Sequence, residues 1–394
     1  MLYVIIVGID IGKNNHEATL IDIQGNIIGK SIRFSNSHQG TNKLLKYIRE
    51  NNPSNDEIIF GLEATGHYWL ALYSRLLSEG FKINVINPIQ SDSFRNLYIR
   101  KTKNDSKDSF IIAEVIRFGR FTSTKLSDEK ILALRQLCRY RSYMVDQISD
   151  LKRKVISILD QIFPEYSKLF SDVFGKTSKE LLLNHTTPEE IANLNTDYLT
   201  ELLLKLSKGR LGFEKATQIK ETAANSFGIK IATDAFTFQI KQLLEQIKFM
   251  ETQLKELEKN IADNFQTFNS PLTSIPCIGP VLGAIILSEI GDFSRFSNGA
   301  KLVAYAGIDP TVRQSGEFNG IHNRMSKRGS PYLRRAIWMA ATVAAFKDPV
   351  LNNYYNKKRS EGKHHLTAIG AVARKLTYII YAVMRDNKEY TPMA

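Results

Sequence analysis

Tyr3-Val-Ile-Ile-Val-Gly-Ile-Asp10 is a run of mostly β-branched residues that ends on a carboxylate, and the rest of the chain is read outward from it. Val and Ile suit the pleated, half-buried surface of a strand. Two more such runs follow at once, Glu17–Ile23 and Ile27–Phe34, separated by Gly-containing turns such as Gln24-Gly25-Asn26. The pattern then predicts a helix over Gly40–Arg49 and a strand Ile58-Ile-Phe-Gly-Leu-Glu63, again closing on a carboxylate. A helix over Tyr68–Ser78, a strand Lys82–Ile86 stopped by Asn87-Pro88, and a helix over Asp105–Phe118 complete the segment. The order βββαβαβα, with acids on the first strand, the end of the fourth strand and the last helix, is that of an RNase H-like domain. The expected fold class is therefore α/β followed by all-α.

Four acids stand out: Asp10, Glu63, Asp105 and Asp108. The last two open a helix three residues apart and so share a helical face. Four carboxylates in one cleft repel, and divalent cations relieve that repulsion. Two Mg²⁺ held about 4 Å apart are how many nucleases and polymerases clamp a phosphodiester. Each acid alone has an ordinary reading, as a turn residue, a cap or a first-turn charge favoured by the helix dipole. Their conjunction in this order points to metal-dependent chemistry on nucleic acid.

Composition agrees. At 394 residues two or three domains are expected, and 43% hydrophobic residues suffice for real cores. The net charge of +13 points to a polyanionic partner. It is concentrated: Thr311 to Lys375 holds thirteen Lys or Arg against three acids. Only Cys138 and Cys277 occur, both in helical-looking segments and without zinc or disulfide spacing, so a reducing cytoplasm is expected. No signal-like N-terminus and no stretch near the ~20 apolar residues of a membrane span is apparent.

Heptads mark the middle of the chain. Met144, Ile148, Leu151, Val155, Ile158 and Ile162 recur at spacings of four and three until Pro164. Phe236, Ile240, Leu243, Ile247, Met250, Leu254, Leu257 and Ile261 repeat the pattern. Both read as coiled-coil helices, pairing with each other or with another protomer. Short helices are expected over 165–230, with Thr187-Pro188-Glu189 as one start. The domains so defined are 1–125, 126–267 and 268–394.

The last is helical and basic. Leu272-Thr-Ser-Ile-Pro-Cys-Ile-Gly279-Pro-Val-Leu-Gly283 resembles a helix-hairpin-helix turn, whose glycines admit phosphate close to the backbone. Ser330-Pro331 and Asp348-Pro349 are helix starts. Arg313-Gln-Ser315-Gly316 lies in a polar loop, where a serine is ordinarily a turn residue. Read functionally, Ser315 is a nucleophile, with Arg313, Arg324, Lys327 and Arg328 close enough in sequence to stabilise a phosphorane. Arg334 and Arg335 extend the phosphate-binding segment; His364 and His365 have no convincing metal spacing and read as polar or phosphate-facing.

These residues carry a likeness. Gly8-Ile-Asp10, Leu62-Glu63-Ala-Thr-Gly66, Val85-Ile-Asn-Pro88, Lys101-Thr-Lys-Asn-Asp105-Ser-Lys-Asp108, Ile275-Pro-Cys-Ile-Gly279, Tyr305-Ala-Gly307, Gln314-Ser315-Gly316 and Met325-Ser-Lys-Arg-Gly329 with Leu333-Arg-Arg335 stand in the order found in one family. The chain resembles the DEDD transposases of insertion sequences, the IS one-ten family of bridge-RNA-guided recombinases. The resemblance implies a RuvC-like N-terminal domain with Asp10, Glu63, Asp105 and Asp108 as Mg²⁺-binding acids, and a transposase domain whose Ser315 links covalently to DNA. It also implies a structured guide RNA that pairs with donor and target double-stranded DNA. Assembly is expected through the coiled coil as dimers and tetramers, with one protomer's acids working with another's serine.

Three other readings compete. A RuvC-type nuclease or junction resolvase would use water and leave Ser315 as a turn. An actin-like or sugar-kinase fold would use Gly8-Ile-Asp-Ile-Gly12 for phosphate, but no second phosphate loop follows. A non-catalytic scaffold would need only the coiled coil and the basic segment.

Overall fold

The computed structural model describes residues 4–54, 56–64, 66–86, 88–95, 105–119, 129–311, 314–315, 318–319 and 324–392. They fall into two compact units, Met1–Leu126 and Ser127–Ala394.

The first unit runs β1 (Val4–Asp10), β2 (Asn15–Ile21), β3 (Ile27–Ser35), α1 (His38–Glu50), β4 (Glu57–Glu63), α2 (Trp69–Ser78), β5 (Lys82–Ile86), α3 (Pro88–Arg95) and α4 (Asp105–Phe118). One sheet forms in the order β3-β2-β1-β4-β5. β1 is antiparallel to β2 and parallel to β4, which is parallel to β5. Both faces are covered, which is why β1 reads as a continuous apolar run rather than an alternating one. Ile5, Val7 and Ile9 face a core with Leu44 and Ile48 of α1 and Leu72 and Leu76 of α2. Ile6 faces the other side, against Ile112 and Ile116 of α4.

The packing of α4 is unusually close. A Cβ built on Gly8 would lie 2.2 Å from the carbonyl oxygen of Ser109 and 2.4 Å from the amide of Ala113, so only glycine lets this helix down onto β1. A 2.7 Å hydrogen bond between the hydroxyls of Thr19 on β2 and Ser109 pins the contact. At the other end Glu114 and Arg117 of α4 lie against Gly25 in the β2–β3 turn. The helix therefore runs antiparallel to β1, with its first turn at the edge where β1 ends.

The second unit is helical: α5 (Glu129–Ile162), α6 (Lys176–Asn184), α7 (Pro188–Ala192), α8 (Thr196–Ser207), α9 (Phe213–Ala224), α10 (Thr233–Gln266), α11 (Pro280–Ile290) and α12 (Gly299–Ala306). A short pair follows, β6 (Gln314–Ser315) and β7 (Phe318–Asn319), then α13 (Pro331–Lys347), α14 (Pro349–Ser360) and α15 (His365–Asp386). The two heptad helices pair antiparallel within the chain, bridged by Arg141–Glu258 and Lys152–Glu251. Each is rooted in one core, through Leu134, Cys138, Ile261 and Phe265, and ends in another, through Val155, Ile158, Ile240 and Ile247. The second core is closed by α6–α9, and Thr187 starts α7 with a reciprocal capping box to Glu190. Ser330 and Asp348 cap α13 and α14 as their Ser-Pro and Asp-Pro pairs predict.

Three expectations need correction. Cys277 is not helical: it sits in the turn before α11 with φ +87°. Gly283 serves helix packing, since its Cβ would meet the Phe265 ring at 2.8 Å. Of the two glycines read as phosphate-approaching, only Gly279 remains open, as the N-cap of α11. Finally, α15 is long and apolar enough to cross a membrane by length and composition. Its apolar face instead fills the core around Ile369, Leu376 and Ile380, and Arg374 and Lys375 interrupt its middle.

Candidate active site

Strand alternation places the first two acids. Side chains on β1 alternate between faces, so Asp10 projects on the same side as Gly8, the side that α4 covers. On β4, Glu63 shares a face with Gly61, which Ile112 and Ile116 of α4 overlie. Because β1 and β4 are adjacent and parallel, with Ile9 beside Leu62, Asp10 and Glu63 end neighbouring strands at one sheet edge. The first turn of α4 arrives at this edge, carrying Asp105 and Asp108.

The acids differ in exposure. Glu63 and Asp108 are buried at 8% and 6%, Asp10 is half-buried and Asp105 is exposed. Sequence spacing puts Asp105 and Asp108 on one helical face, but the fold buries only the second. Ser91 of α3, fully buried, donates a 2.6 Å hydrogen bond to Glu63 Oε2 and also contacts the Pro88 carbonyl at 2.9 Å. That hydroxyl fixes one of the two carboxylate oxygens and with it the direction of the other. Nothing in Pro88-Ile-Gln-Ser91 signals this role, because only the fold brings α3 beneath the end of β4.

The donor set is hard oxygen, the chemistry that Mg²⁺ or another hard divalent cation selects. Among the described residues no three His, Cys, Asp or Glu come close enough together to hold a metal ion. The fold thus gathers the carboxylates at one edge without closing them around a point. Mg²⁺ keeps several waters and needs only one or two protein carboxylates, so an open set fits it.

In the second unit, Ser315 is the last residue of β6, in register with Phe318, and Gln314 pairs with Asn319. Below this pair the chain is closed by a bridge between Pro310 and Met325 and by the Thr311 amide on the Arg324 carbonyl. Arg313 lies outside the described residues, as do Thr65, Asn87, Gly316 and the stretch 101–104. Arg324, Lys327 and Arg328 are exposed. Arg334 turns inward, its guanidinium 3.3 Å from the Ala306 carbonyl and 3.5 Å from that of Gly329. Gly307, at φ +68°, leaves the room for it. Arg335 forms a 2.7 Å ion pair with Asp146 of α5. These two arginines brace the start of α13, just after the segment that carries the exposed cations.

Beneath them lies an ion pair with a buried acid that sequence reasoning missed. Glu289 of α11, 2% exposed, takes a two-point contact from Arg139 and a 2.8 Å bond from Ser330 Oγ. The hydrogen bond to Glu289 raises the pKa of Arg139 against the opposing effect of burial. His364 caps α15 and His365 bonds Tyr355 at 2.7 Å, so both histidines have structural partners.

Comparison with known proteins gives two family models and several relatives that match. Residues 7–164 match a family model described as a transposase, the DEDD transposase of IS110. Residues 269–356 match a second, the transposase IS116/IS110/IS902 family. The chain is 26% identical to a 44.8 kDa protein of insertion element IS116 from Streptomyces clavuligerus, over 98% of this chain and 96% of that one. It is 24% identical to a 42 kDa protein of insertion element IS900 from Mycobacterium paratuberculosis, again over 98% and 96%. A pilin gene-inverting protein of Moraxella bovis is also 24% identical, over 98% of this chain and 97% of its own.

Proposed function

The chain belongs to the IS116/IS110/IS902 family of transposases, and on that premise we propose that it cuts, exchanges and rejoins DNA through an ester between Ser315 and a DNA phosphate. Transposases of this family are DNA-cleaving and strand-transferring enzymes, and the DEDD designation goes with divalent-metal use. The observation that carries the finer reading is the sheet edge where Asp10 and Glu63 end adjacent parallel strands and α4 delivers Asp105 and Asp108. The strand order β3-β2-β1-β4-β5, with β1 flanked by one antiparallel and one parallel neighbour, supports reading this unit as RNase H-like and RuvC-like.

Asp10, Glu63, Asp105 and Asp108 would hold Mg²⁺, two ions in the full site. When bound, the metal polarises the scissile phosphate and lowers the pKa of an oxygen nucleophile. The protein's own part is geometric. Ser91 orients Glu63, and the Gly8 contact seats the first turn of α4. In the reaction Ser315 Oγ bonds to phosphorus as one P–O bond of the strand breaks; the serine proton is lost and the leaving oxygen gains one. Attack by a strand hydroxyl on the ester reverses both changes, so the phosphodiester energy is kept and no nucleotide is consumed.

The family likeness extends the proposal to guidance by a structured RNA and to assembly as dimers and tetramers, the acids and the serine then coming from different protomers. Denaturing gels test the core of it. Wild type should trap a protein–DNA adduct that Ser315→Ala abolishes, and Asp10→Ala should abolish cleavage while DNA binding persists. Cleavage without an adduct in wild type would replace this reading with a RuvC-type nuclease that uses water. Sequencing nucleic acid that co-purifies with the protein tests the RNA, and a single discrete structured species is the expected result.

A further inference from the structure

Pro310 begins the closed base of the β6–β7 pair, and it also forms the rim of a cleft of about 640 Å³. The walls come from the chain around α12, α14 and α15, and four cations line them: Lys358, Lys363, Arg374 and Lys375. The cleft's acid, Asp309, accepts a hydrogen bond from Ser326. Lys358 is shared with Glu361 at 2.8 Å, whereas among the described residues no carboxylate pairs with Lys363, Arg374 or Lys375. Concentrating cations in one concavity without matching acids costs electrostatic energy that a polyanion recovers.

Two tyrosines add a second chemistry. The Tyr354 ring holds the Lys375 and Lys358 ammoniums at 4.8 and 5.5 Å from its centroid, which fixes both within the cleft. Tyr378 is 49% exposed, and its ring lies on the backbone of Gly299, where a Cβ would sit 2.5 Å from Cδ1. The ring is seated on α12 and, half exposed, lines the cleft. Cations tracking a backbone beside an exposed aromatic face are the elements of a single-strand site, in which bases stack and phosphates pair.

We infer that this cleft binds a single nucleic-acid strand, with phosphates on Lys363, Arg374 and Lys375 and one base stacked on Tyr378, beside the base of the pair that carries Ser315. The inference rests on the DNA-joining reading for its choice of polyanion, and it deepens that reading by naming where the unpaired strand is held. Bases inside a duplex have both faces covered by their neighbours, so the stacking contact is open to the strand only where it is unpaired.

The full-length Ser315→Ala protein tests binding apart from chemistry, by fluorescence anisotropy with labelled oligo-dT and oligo-U strands across a salt series. Lys363→Glu with Arg374→Glu should weaken binding at least about tenfold, and the slope of log K against log salt should flatten by about 0.7 for each phosphate that is no longer neutralised. Tyr378→Ala should weaken it by about tenfold and Tyr378→Phe should not, since stacking needs the ring and not the hydroxyl. A 5-iodouracil strand should photo-crosslink to Tyr378. Tighter binding of the DNA strand assigns the cleft to substrate, and tighter binding of the RNA strand assigns it to a guide. Unchanged affinity and slope in the charge-reversed protein, with an unchanged Tm, would overturn the site. Equal loss in Tyr378→Phe and Tyr378→Ala would overturn the stacking. A chain that binds here yet forms no Ser315 adduct in wild type refutes the serine reading alone; an adduct without cleft-dependent binding refutes the cleft alone.

Discussion

Gly8→Ala is the sharpest test of how the acids are held. The added methyl would lie 2.2 Å from the Ser109 carbonyl oxygen, 2.4 Å from the Ala113 amide and 2.8 Å from the Ala113 methyl. Ordinary contact begins near 3.4 Å, so α4 must retreat by about 1 Å. Two of the three obstacles are backbone atoms, and no rotamer change can relieve them. Overpacking of this kind costs about 1–3 kcal/mol, which for a unit of this size is a fall of about 3–15 °C in its Tm. The retreat carries Asp105 and Asp108 away from Asp10 and Glu63, and a displacement of about 1 Å at a catalytic group can cost about 100-fold in rate. Differential scanning fluorimetry and metal-dependent strand cleavage read the two effects on the same sample. Ala113→Gly added to Gly8→Ala removes only the third obstacle and should restore little of either. Wild-type Tm and cleavage in Gly8→Ala would mean that α4 does not rest on β1 at this point, and the placement of the acids would fall with it.

Other outcomes follow from single contacts. Ser91→Ala removes a hydrogen bond that orients Glu63; losing a hydrogen bond of this kind costs about 1 kcal/mol or more, so cleavage should fall at least about fivefold. A Ser91→Ala enzyme with full activity would show that Glu63 needs no orienting. Burial pushes the His16 imidazole below its ordinary value against a smaller opposing pull from Asn36, so the unfolded chain takes up its proton first. Stability should therefore be complete above about pH 6.5 and decline as pH drops below it, and His16→Gln should flatten the decline in Tm between about pH 7.5 and about pH 5. Both thiols are held up mainly by burial, Cys138 to about 11 and Cys277 to about 12. The native protein should resist iodoacetamide at neutral pH and react at both cysteines in denaturant; rapid native labelling of either would contradict the burial described.

What the sequence made legible was whatever depends on local periodicity. Asp10 and Glu63 end apolar runs, so their places at strand ends follow from the pattern of neighbours. The heptads from Met144 and from Phe236 are legible for the same reason, as are the Ser330 and Asp348 caps. What stayed hidden depends on where distant segments meet. Ser91 matters only because α3 lies under β4, and Gly283 only because Phe265 crosses it. The inward turn of Arg334 depends on the carbonyls of Ala306 and Gly329, and a run of basic residues gives no sign of which one the backbone will claim. Asp105 and Asp108 lie between: their spacing was plain, but the difference in their burial was set by the sheet beneath.

The antiparallel pair α5 and α10 has a mechanical consequence. Each helix has 34 residues, about 51 Å at 1.5 Å per residue, and joins two cores that share no other long element. The pair is a strut. Removing one residue from one helix would turn its far end by about 100° out of phase with the other helix and break the Arg141–Glu258 and Lys152–Glu251 bridges. Removing seven from both would bring the far core closer by about 10 Å and leave its facing almost unchanged. Length in this region is therefore free to vary in steps of seven and nearly forbidden to vary otherwise.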